Sequence, residues 1–184
     1  MTDRLFFAFW PDDALRHDLA VRMPGWVQGV EGRVQRPDQW HLTVEFLGGV
    51  EPARQPALHA AGAALAGWLE RPQAIRLDRL EHWRGPQVLC VAASAVPSGV
   101  RALVEALKAQ LLQRGFEPER REFRAHLTLA RKVRRPRPDG PVDPFDWPVR
   151  SLSLVRSTAG PAGSRYEPLA GWNVVRAPSD APGG

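Results

Sequence analysis

Trp40-His41-Leu42-Thr43-Val44 recurs later in the chain as Ala125-His126-Leu127-Thr128-Leu129, so that His-Leu-Thr followed by an apolar residue occurs twice. On a β-strand, residues i and i+2 lie on one face while i+1 and i+3 lie on the other. Each stretch is therefore predicted to be a strand that presents an imidazole and a hydroxyl on one face and packs apolar residues on the other. Two such strands facing each other would place two histidines around one site.

The residues around the first repeat predict strands alternating with helices. An aromatic run at 4–10, Arg-Leu-Phe-Phe-Ala-Phe-Trp, is typical of a buried strand. The Pro-Asp-Asp sequence at 11–13 predicts the start of a helix, which we expect to end at Pro24-Gly25. Residues 40–47 predict the strand of the first repeat, and the Ala- and Leu-rich residues 53–70 predict a second helix.

The second half of the chain predicts one helix and several more strands. The strands are expected at 74–83, 87–95, 122–130, 150–156 and 165–175. The helix, at 98–114, carries an apolar stripe and ends at Gly115. The proline-rich residues 131–148 predict a long, basic, exposed loop, because proline lacks the backbone N–H that regular elements use.

Together these elements predict the α+β fold class. Three helices and about seven strands, many of them adjacent in sequence, favour largely antiparallel sheets over a doubly wound parallel sheet. We expect residues 1–176 to form a single domain and residues 177–184 to be a disordered tail.

The composition favours a folded, basic protein. The chain has 184 residues, of which 43% are hydrophobic and 24% charged, and its formal net charge is +5. All of its lysines and arginines except Lys108 and Lys132 are arginines, and guanidinium binds phosphate bidentately, so a phosphate-rich ligand is favoured. The single cysteine, Cys90, excludes an internal disulfide and favours the cytoplasm. No apolar run is long enough for a membrane span, so no membrane partner is expected.

Two imidazoles flanking one site can divide the work of phosphodiester hydrolysis. A neutral imidazole takes a proton from water, and a protonated one gives a proton to the departing oxygen. The hydroxyls of Thr43 and Thr128 are placed to bind the non-bridging phosphate oxygens, and Arg131 can supply a charge-assisted hydrogen bond. Arg134 and Arg135, in the predicted basic loop, are candidate contacts to a phosphate-rich ligand.

Aromatic residues are further candidates for contact with a ligand. The aromatic residues of the run at 4–10 are mostly expected in the core, although one face of that strand could offer a ring for base stacking. Trp40 is expected to point away from His41 into the core. Tyr166 is a further candidate for contact with the ligand.

Other kinds of site find less support in the sequence. A zinc site built from His41, His126 and His82 is not favoured, because the chain has no His-Glu-x-x-His sequence and no cysteine cluster. Neither Gly-x-x-x-x-Gly-Lys nor Lys-x-Asp-Gly is present, so an NTP-dependent ligase is not favoured. We therefore expect neither a metal nor a cofactor.

The motifs resemble those of the bacterial and archaeal 2′-5′ RNA ligases, also called RNA 2′,3′-cyclic phosphodiesterases, in the two-histidine phosphoesterase superfamily. Besides the paired His-x-Thr-x motifs, the similarity rests on the strand that begins at Arg4 and on Phe-Arg-Ala-His-Leu-Thr-Leu-Ala-Arg at 123–131. Ser-Leu-Val-Arg-Ser at 153–157 and Tyr-Glu-Pro-Leu at 166–169 complete it. The matching segments follow the expected order from about residue 4 to residue 175.

The resemblance implies two lobes related by a pseudo-twofold axis, each giving one motif to a central cleft that needs no metal or nucleotide cofactor. It implies that His41 is the proton donor to the leaving ribose oxygen and that His126 is the proton acceptor from water. Thr43 and Thr128 would hold the phosphate. The family often has proline before the second histidine, where this chain has Ala125. Since that proline is a backbone feature, we expect the chemistry to be retained.

Three functions remain open on the sequence. The first is hydrolysis of RNA 2′,3′-cyclic phosphate ends, which the resemblance implies would leave a 2′-phosphate. The second is reversible 2′-5′ RNA ligation, and the third is a non-catalytic module that binds RNA ends. Intact histidines and threonines favour an enzyme, and bulk water favours hydrolysis. The expected partner is an RNA with a 2′,3′-cyclic phosphate end, such as a tRNA half, bound by a monomer in the cytoplasm.

Overall fold

Nine β-strands and three α-helices form over residues 2–160 and 163–177, the part of the chain described by this computed structural model. In chain order the strands are β1 (Asp3–Phe9), β2 (Glu31–Val34), β3 (Leu42–Val50), β4 (Gln73–Trp83), β5 (Val88–Ala92), β6 (His126–Arg135), β7 (Gly140–Val149), β8 (Ser151–Gly160) and β9 (Gly163–Asn173). The helices are α1 (Asp13–Val27), α2 (Gln55–Ala63) and α3 (Ser98–Gln113). Short 3-10 turns at Pro37–Gln39 and Pro52–Arg54 precede β3 and α2.

The strands form two antiparallel halves that meet at one point. From the centre outward, one half runs β3, β1, β8, β9, and the other runs β6, β5, β4, β7, with β2 also pairing to β6. The halves are joined through a single antiparallel pair, Leu42 with Leu127. The prediction of an α+β fold with two mainly antiparallel lobes is confirmed. The middle residues of the two repeated motifs therefore lie at the junction.

Strand β1 is apolar at successive positions because both of its faces are covered. Leu5, Phe7 and Phe9 point into the main hydrophobic core, while Phe6 and Ala8 point to the opposite face, where they pack with Val155 of β8. A strand that is covered on both faces reads as a continuous apolar run rather than an alternating one. β1 is thus a buried strand in the middle of one half of the sheet. Its face with Phe6 and Ala8 is the one that contacts the junction, where Phe6 lies against His41.

Helix α1 runs further than its sequence predicts. The expected end at Pro24-Gly25 is wrong, because the helix continues to Val27. Trp26 is buried and stacks on Phe145 of β7, with ring centres 5.4 Å apart. This packing offsets the hydrogen bond that a proline within a helix cannot donate. The chain turns only after the helix, at Gly29, whose φ of 74° suits glycine.

Helix α2 is shorter than the predicted helix over 53–70. It ends at Ala63, and Gly67 has a φ of 66°. The backbone N–H groups of Gly67 and Leu69 donate to the carbonyls of Asn173 and Val174, at 3.0 Å and 2.8 Å. Hydrogen bonds to the C-terminal segment therefore replace the helical ones.

The predicted exposed loop over 131–148 is also wrong. Residues up to Arg135 continue β6, and most of the rest form β7. Among the strands of the described residues, β7 is at an edge of the sheet and pairs with β4 alone. An edge strand tolerates proline, because one row of its N–H groups needs no partner in the sheet.

Smaller differences concern strand number and bounds. The strand predicted at 122–130 starts at His126. Two strands that no pattern predicted, β2 and β7, raise the total from about seven to nine over the described residues. Of the predicted disordered tail at 177–184, residues 178–184 lie outside the described residues. No helix among the described residues has the length and apolar character needed to cross a membrane.

Alanine substitutions at two helical glycines are expected to change the stability of the protein in opposite directions. A Cβ at Gly62 of α2 would lie 2.3 Å from the ring of Trp172, whereas a Cβ at Gly25 of α1 would meet nothing within 4 Å. Gly62→Ala is expected to lower the free energy of unfolding by roughly 1–3 kcal/mol through overpacking. Gly25→Ala is expected to raise it by up to about 1 kcal/mol, because alanine favours helix.

Urea unfolding of the two variants beside the wild-type protein measures both effects. Equal effects of the two substitutions would show that α2 does not pack on β9 through Gly62.

Candidate active site

The junction between the two halves brings the repeated motifs side by side. Because Leu42 pairs with Leu127 in an antiparallel register, continuing that register by one residue places His41 opposite Thr128 and Thr43 opposite His126. All four polar side chains then lie on the same face, away from the buried leucines. We call this face the cleft face.

The two imidazoles are held in the same way. Nδ1 of His41 lies 2.7 Å from the carbonyl oxygen of Gln39, and Nδ1 of His126 lies 2.8 Å from that of Arg124. A carbonyl oxygen can only accept a hydrogen bond, so Nδ1 carries a proton in both charge states of each ring. Nε2 is therefore the atom that gains or loses a proton in each histidine.

His41 is enclosed by aromatic side chains. It is 7% exposed, Trp10 stacks on it at 5.4 Å with 9° between the planes, and Phe6 and Tyr166 lie 5.0 Å away. The pKa of His41 is lowered to about 4, mainly by burial and to a smaller extent by the charges of Arg131 and His126, while the bond to the Gln39 carbonyl opposes this shift. Its Nε2 lies 3.1 Å from the hydroxyl of Thr43.

His126 has more exposed and more charged surroundings. Burial is the largest cause that lowers its pKa, and the bond to the Arg124 carbonyl opposes this effect. The guanidinium groups of Arg131 and Arg124 also lower the pKa, while the carboxylate of Glu81 raises it. The ring of Trp83 lies 4.4 Å from the His126 ring. Both imidazoles are thus inclined to be neutral in the free protein at neutral pH.

A bulge in β6 brings Arg131 to the cleft face. Relative to β5, β6 has one extra residue between Thr128 and Ala130, and both Leu129 and Ala130 are fully buried. The extra residue shifts the alternation by one position, so that Arg131 follows Thr128 on the same face. Its charge acts on both imidazoles, consistent with this placement.

The remaining predicted site residues lie at different distances from the imidazoles. Tyr166, on β9, is in contact with His41. Arg134 and Arg135 are exposed at the far end of β6, and Arg135 is 3.5 Å from the carboxylate of Glu31.

His82 pairs with Leu89 and so lies on the core face of β4, opposite to Trp83. Within residues 2–160 and 163–177, no three or more His, Cys, Asp or Glu side chains are grouped to hold a metal ion.

Several residues of the cleft face were not identified from the sequence. Simple alternation would place Glu45 beside Thr43, but a register shift in β3 pairs Glu45 with Phe7 on the core side. Phe46 consequently pairs with Phe6 on the cleft face, where it is 56% exposed. Trp83 and Glu81 reach the site from β4, and no local motif in the sequence marks them.

Similarity to known phosphoesterases extends over almost the whole chain. The family model described as LigT like Phosphoesterase matches residues 91–166. The RNA 2′,3′-cyclic phosphodiesterase of Escherichia coli (strain K12) is 28% identical over 176 residues, which cover 94% of this chain and 97% of that protein. The crystal structure of E. coli LigT complexed with 3′-AMP superposes with a TM-score of 0.76 at 26% identity, covering 96% of this chain and 100% of that one. A crystal structure of a Thermus thermophilus protein gives a TM-score of 0.78 at 28% identity, covering 94% of this chain and 98% of that one.

The buried, neutral His41 predicts that the protein loses stability in acid. Its pKa of about 4 lies below the ordinary 6.5, so the unfolded state binds this proton more readily. The free energy of unfolding should therefore fall as the pH drops from 6.5 to about 4, by about 3 kcal/mol in total for this group. His41→Gln, which cannot titrate, should remove that part of the pH dependence in urea unfolding experiments.

His17, exposed on α1, offers a matched control. His17→Gln should keep the wild-type dependence of stability on pH. An unchanged dependence in His41→Gln would show that His41 is not buried in the neutral form.

Proposed function

We infer, because this chain belongs to the LigT-like phosphoesterases of the two-histidine superfamily, that it hydrolyses the 2′,3′-cyclic phosphate ends of RNA to 2′-phosphomonoesters. The observation that carries the inference is the pair of imidazoles on neighbouring strands, each with Nδ1 bound to a backbone carbonyl. The relative in E. coli is named RNA 2′,3′-cyclic phosphodiesterase, which supports this substrate.

In the proposed reaction, the two Nε2 atoms act on opposite sides of the phosphorus. His126 takes a proton from water as the water oxygen forms a bond to phosphorus. The bond from phosphorus to the ribose 3′ oxygen breaks, and His41 donates its Nε2 proton to that oxygen. The 2′ oxygen keeps the phosphate. His126 ends protonated and His41 neutral, and proton exchange with water restores the starting state.

His41 must carry a proton to act as the acid, although burial favours its neutral form. The cyclic phosphate supplies a negative charge in the cleft, which stabilises an imidazolium beside it. The donor role of His41 therefore depends on bound substrate. This explains how a histidine whose pKa is about 4 in the free protein serves as an acid at neutral pH.

Three further side chains are proposed to hold the phosphate. The hydroxyl of Thr43, which contacts His41 in the free protein, would turn to a non-bridging oxygen, with Thr128 opposite. Arg131 would bind the oxygens as their charge increases in the transition state. None of these steps requires a metal ion or a cofactor, and we propose that the reaction proceeds without them.

The finer identity of the partner also belongs to the proposal. We propose that Tyr166, Arg134 and Arg135 contact the RNA and that tRNA halves are among the substrates. We further propose that residues 1–176 act as one two-lobed domain, since one apolar core spans both halves. The chain would act as a monomer in the cytoplasm, where the buried thiol of Cys90 stays reduced.

Replacing either histidine should abolish most of the turnover. With a short RNA ending in a 2′,3′-cyclic phosphate and excess chelator, the wild-type protein should yield a 2′-phosphate. His41→Ala and His126→Ala should each lower kcat by roughly 10²-fold or more, because each removes one proton transfer. Binding of the 2′-phosphate product should change far less. Chromatography of quenched-flow samples measures kcat, and isothermal titration calorimetry with the 2′-phosphate product measures binding.

His17→Ala serves as the control and should keep wild-type turnover. Near-normal kcat in either active-site variant would contradict the proposed proton transfers. Loss of activity in chelator with recovery on one added divalent ion would contradict the metal-free reaction. A longer 2′-5′-linked RNA as the main product would show that ligation is the activity.

Salt dependence tests the proposed RNA contacts at the end of β6. Each single-strand phosphate that a cation neutralises contributes about 0.7 to the steepness of the log–log dependence of affinity on salt. An oligonucleotide should therefore respond more steeply than a cyclic mononucleotide. Arg134→Ala combined with Arg135→Ala should remove that excess, whereas Arg101→Ala on α3 should not.

Fluorescence anisotropy competition over a range of ionic strength gives these slopes. Equal slopes for both substrates in the wild-type protein would show that Arg134 and Arg135 are only a solvated surface.

A further inference from the structure

Two side chains of β4 reach His126 although another strand lies between them. In the antiparallel register, Glu81 is paired with Cys90 of β5, and Ala92 of β5 is paired with His126 of β6. Cys90 and Ala92 are small and almost completely buried on this face. Larger residues would fill the space above β5. Their small size leaves room for Glu81 and Trp83 to lie over the strand and approach the imidazole.

The carboxylate of Glu81 holds two neighbours at once. Its Oε2 accepts hydrogen bonds from Nε1 of Trp83 at 2.7 Å and from a guanidinium nitrogen of Arg124 at 2.9 Å. The guanidinium carbon of Arg124 also lies 5.0 Å from the centre of the Trp83 ring. The Glu81 side chain is 20% exposed, which limits competition by water for these bonds.

Both neighbours of Glu81 touch His126. The Trp83 ring packs on the imidazole at 4.4 Å, and the backbone carbonyl of Arg124 accepts the hydrogen bond from Nδ1. The contacts therefore form a closed ring of four residues: Glu81, Trp83, His126 and Arg124. Within the described residues, the surroundings of His41 contain three aromatic rings and no carboxylate among the charges that act on it.

We propose that Glu81 is a positioning residue for His126: it fixes Trp83 and Arg124 against the imidazole, and its charge stabilises the imidazolium that forms when His126 takes the proton from water. The stabilisation of the imidazolium during proton transfer rests on the proposed function. The positioning of Trp83 and Arg124 by Glu81 does not. The charged groups that shift the titration of His126 are Arg124, Arg131 and Glu81, with His41 across the junction. Arg79 lies on the same face of β4 as Glu81 but is exposed. Glu81 is the single negative charge in that set, so it opposes the two arginines directly.

Glu81→Gln tests the proposal because it removes the charge but keeps an oxygen that can accept from Trp83. NMR titration of the imidazole C–H signals in the free protein should show the midpoint of His126 moving to lower pH, with that of His41 unchanged. At neutral pH, kcat should fall by roughly tenfold or more, with little change in KM, because His126 loses orientation and basicity. The limb of the pH–rate profile that depends on His126 should move in the same direction as its titration.

Three more variants separate charge from packing. Trp83→Phe keeps a ring against His126 and keeps the carboxylate, so the His126 midpoint should stay near that of the wild-type protein. Arg124→Gln keeps the backbone carbonyl but leaves Glu81 unopposed by that cation, so the midpoint should rise. Glu70→Gln removes an exposed carboxylate that lies 4.0 Å from Arg176 and should change neither titration nor kcat.

A His126 midpoint that does not move in Glu81→Gln overturns the proposal, and so does an equal movement of the His41 midpoint. If Glu81→Gln does not fold, Arg124→Gln decides, because a midpoint that fails to rise there also overturns it. The titrations use no substrate. An inactive wild-type protein would therefore contradict the proposed function and leave the test of Glu81 intact.

Discussion

The antiparallel pair formed by Leu42 and Leu127 is the constraint on which the rest of the structure depends. Each half of the sheet could form its own ladder, and this pair joins the two ladders into one sheet above an apolar core that spans both halves. Because side chains alternate on a strand, burying these two leucines forces the histidine and threonine on either side of each to the opposite face. A packing requirement in the core thus determines which polar groups meet at the surface.

Equivalent motifs do not give equivalent imidazoles. Both rings are oriented by a backbone carbonyl two residues earlier in the chain, yet His41 lies among Trp10, Phe6 and Tyr166, while His126 lies beside Trp83 and Glu81. Aromatic enclosure disfavours a charged ring, and a carboxylate favours it. Two similar lobes can therefore support different proton transfers, because the difference comes from residues outside the repeated sequence.

The features that could be predicted from the sequence are those that depend on the spacing of apolar and polar residues within one strand or helix. The His-x-Thr repeats, the aromatic strand β1 and the apolar stripe of α3 follow from alternation or from helical spacing. The errors arise where a distant part of the chain overrides the local signal. β7 accepts its prolines because it is at an edge of the sheet, and α1 passes Pro24 because Trp26 packs on Phe145. Glu81 approaches His126 across small residues of β5, a relation that only the strand order reveals.

The bulge at Leu129 has a consequence for how this segment can vary in length. Arg131 reaches the cleft face only because β6 has one residue more than β5 at that point. Deleting a single residue between Thr128 and Arg131 would remove the bulge and restore regular alternation, and Arg131, then two residues after Thr128, would still lie on the cleft face. Substitution of Leu129 by another apolar residue keeps the count and hence the geometry. Thr128 and Arg131 can therefore share the cleft face either three residues apart with the bulge or two residues apart without it, as long as Val88 and Cys90 of β5 stay opposite them.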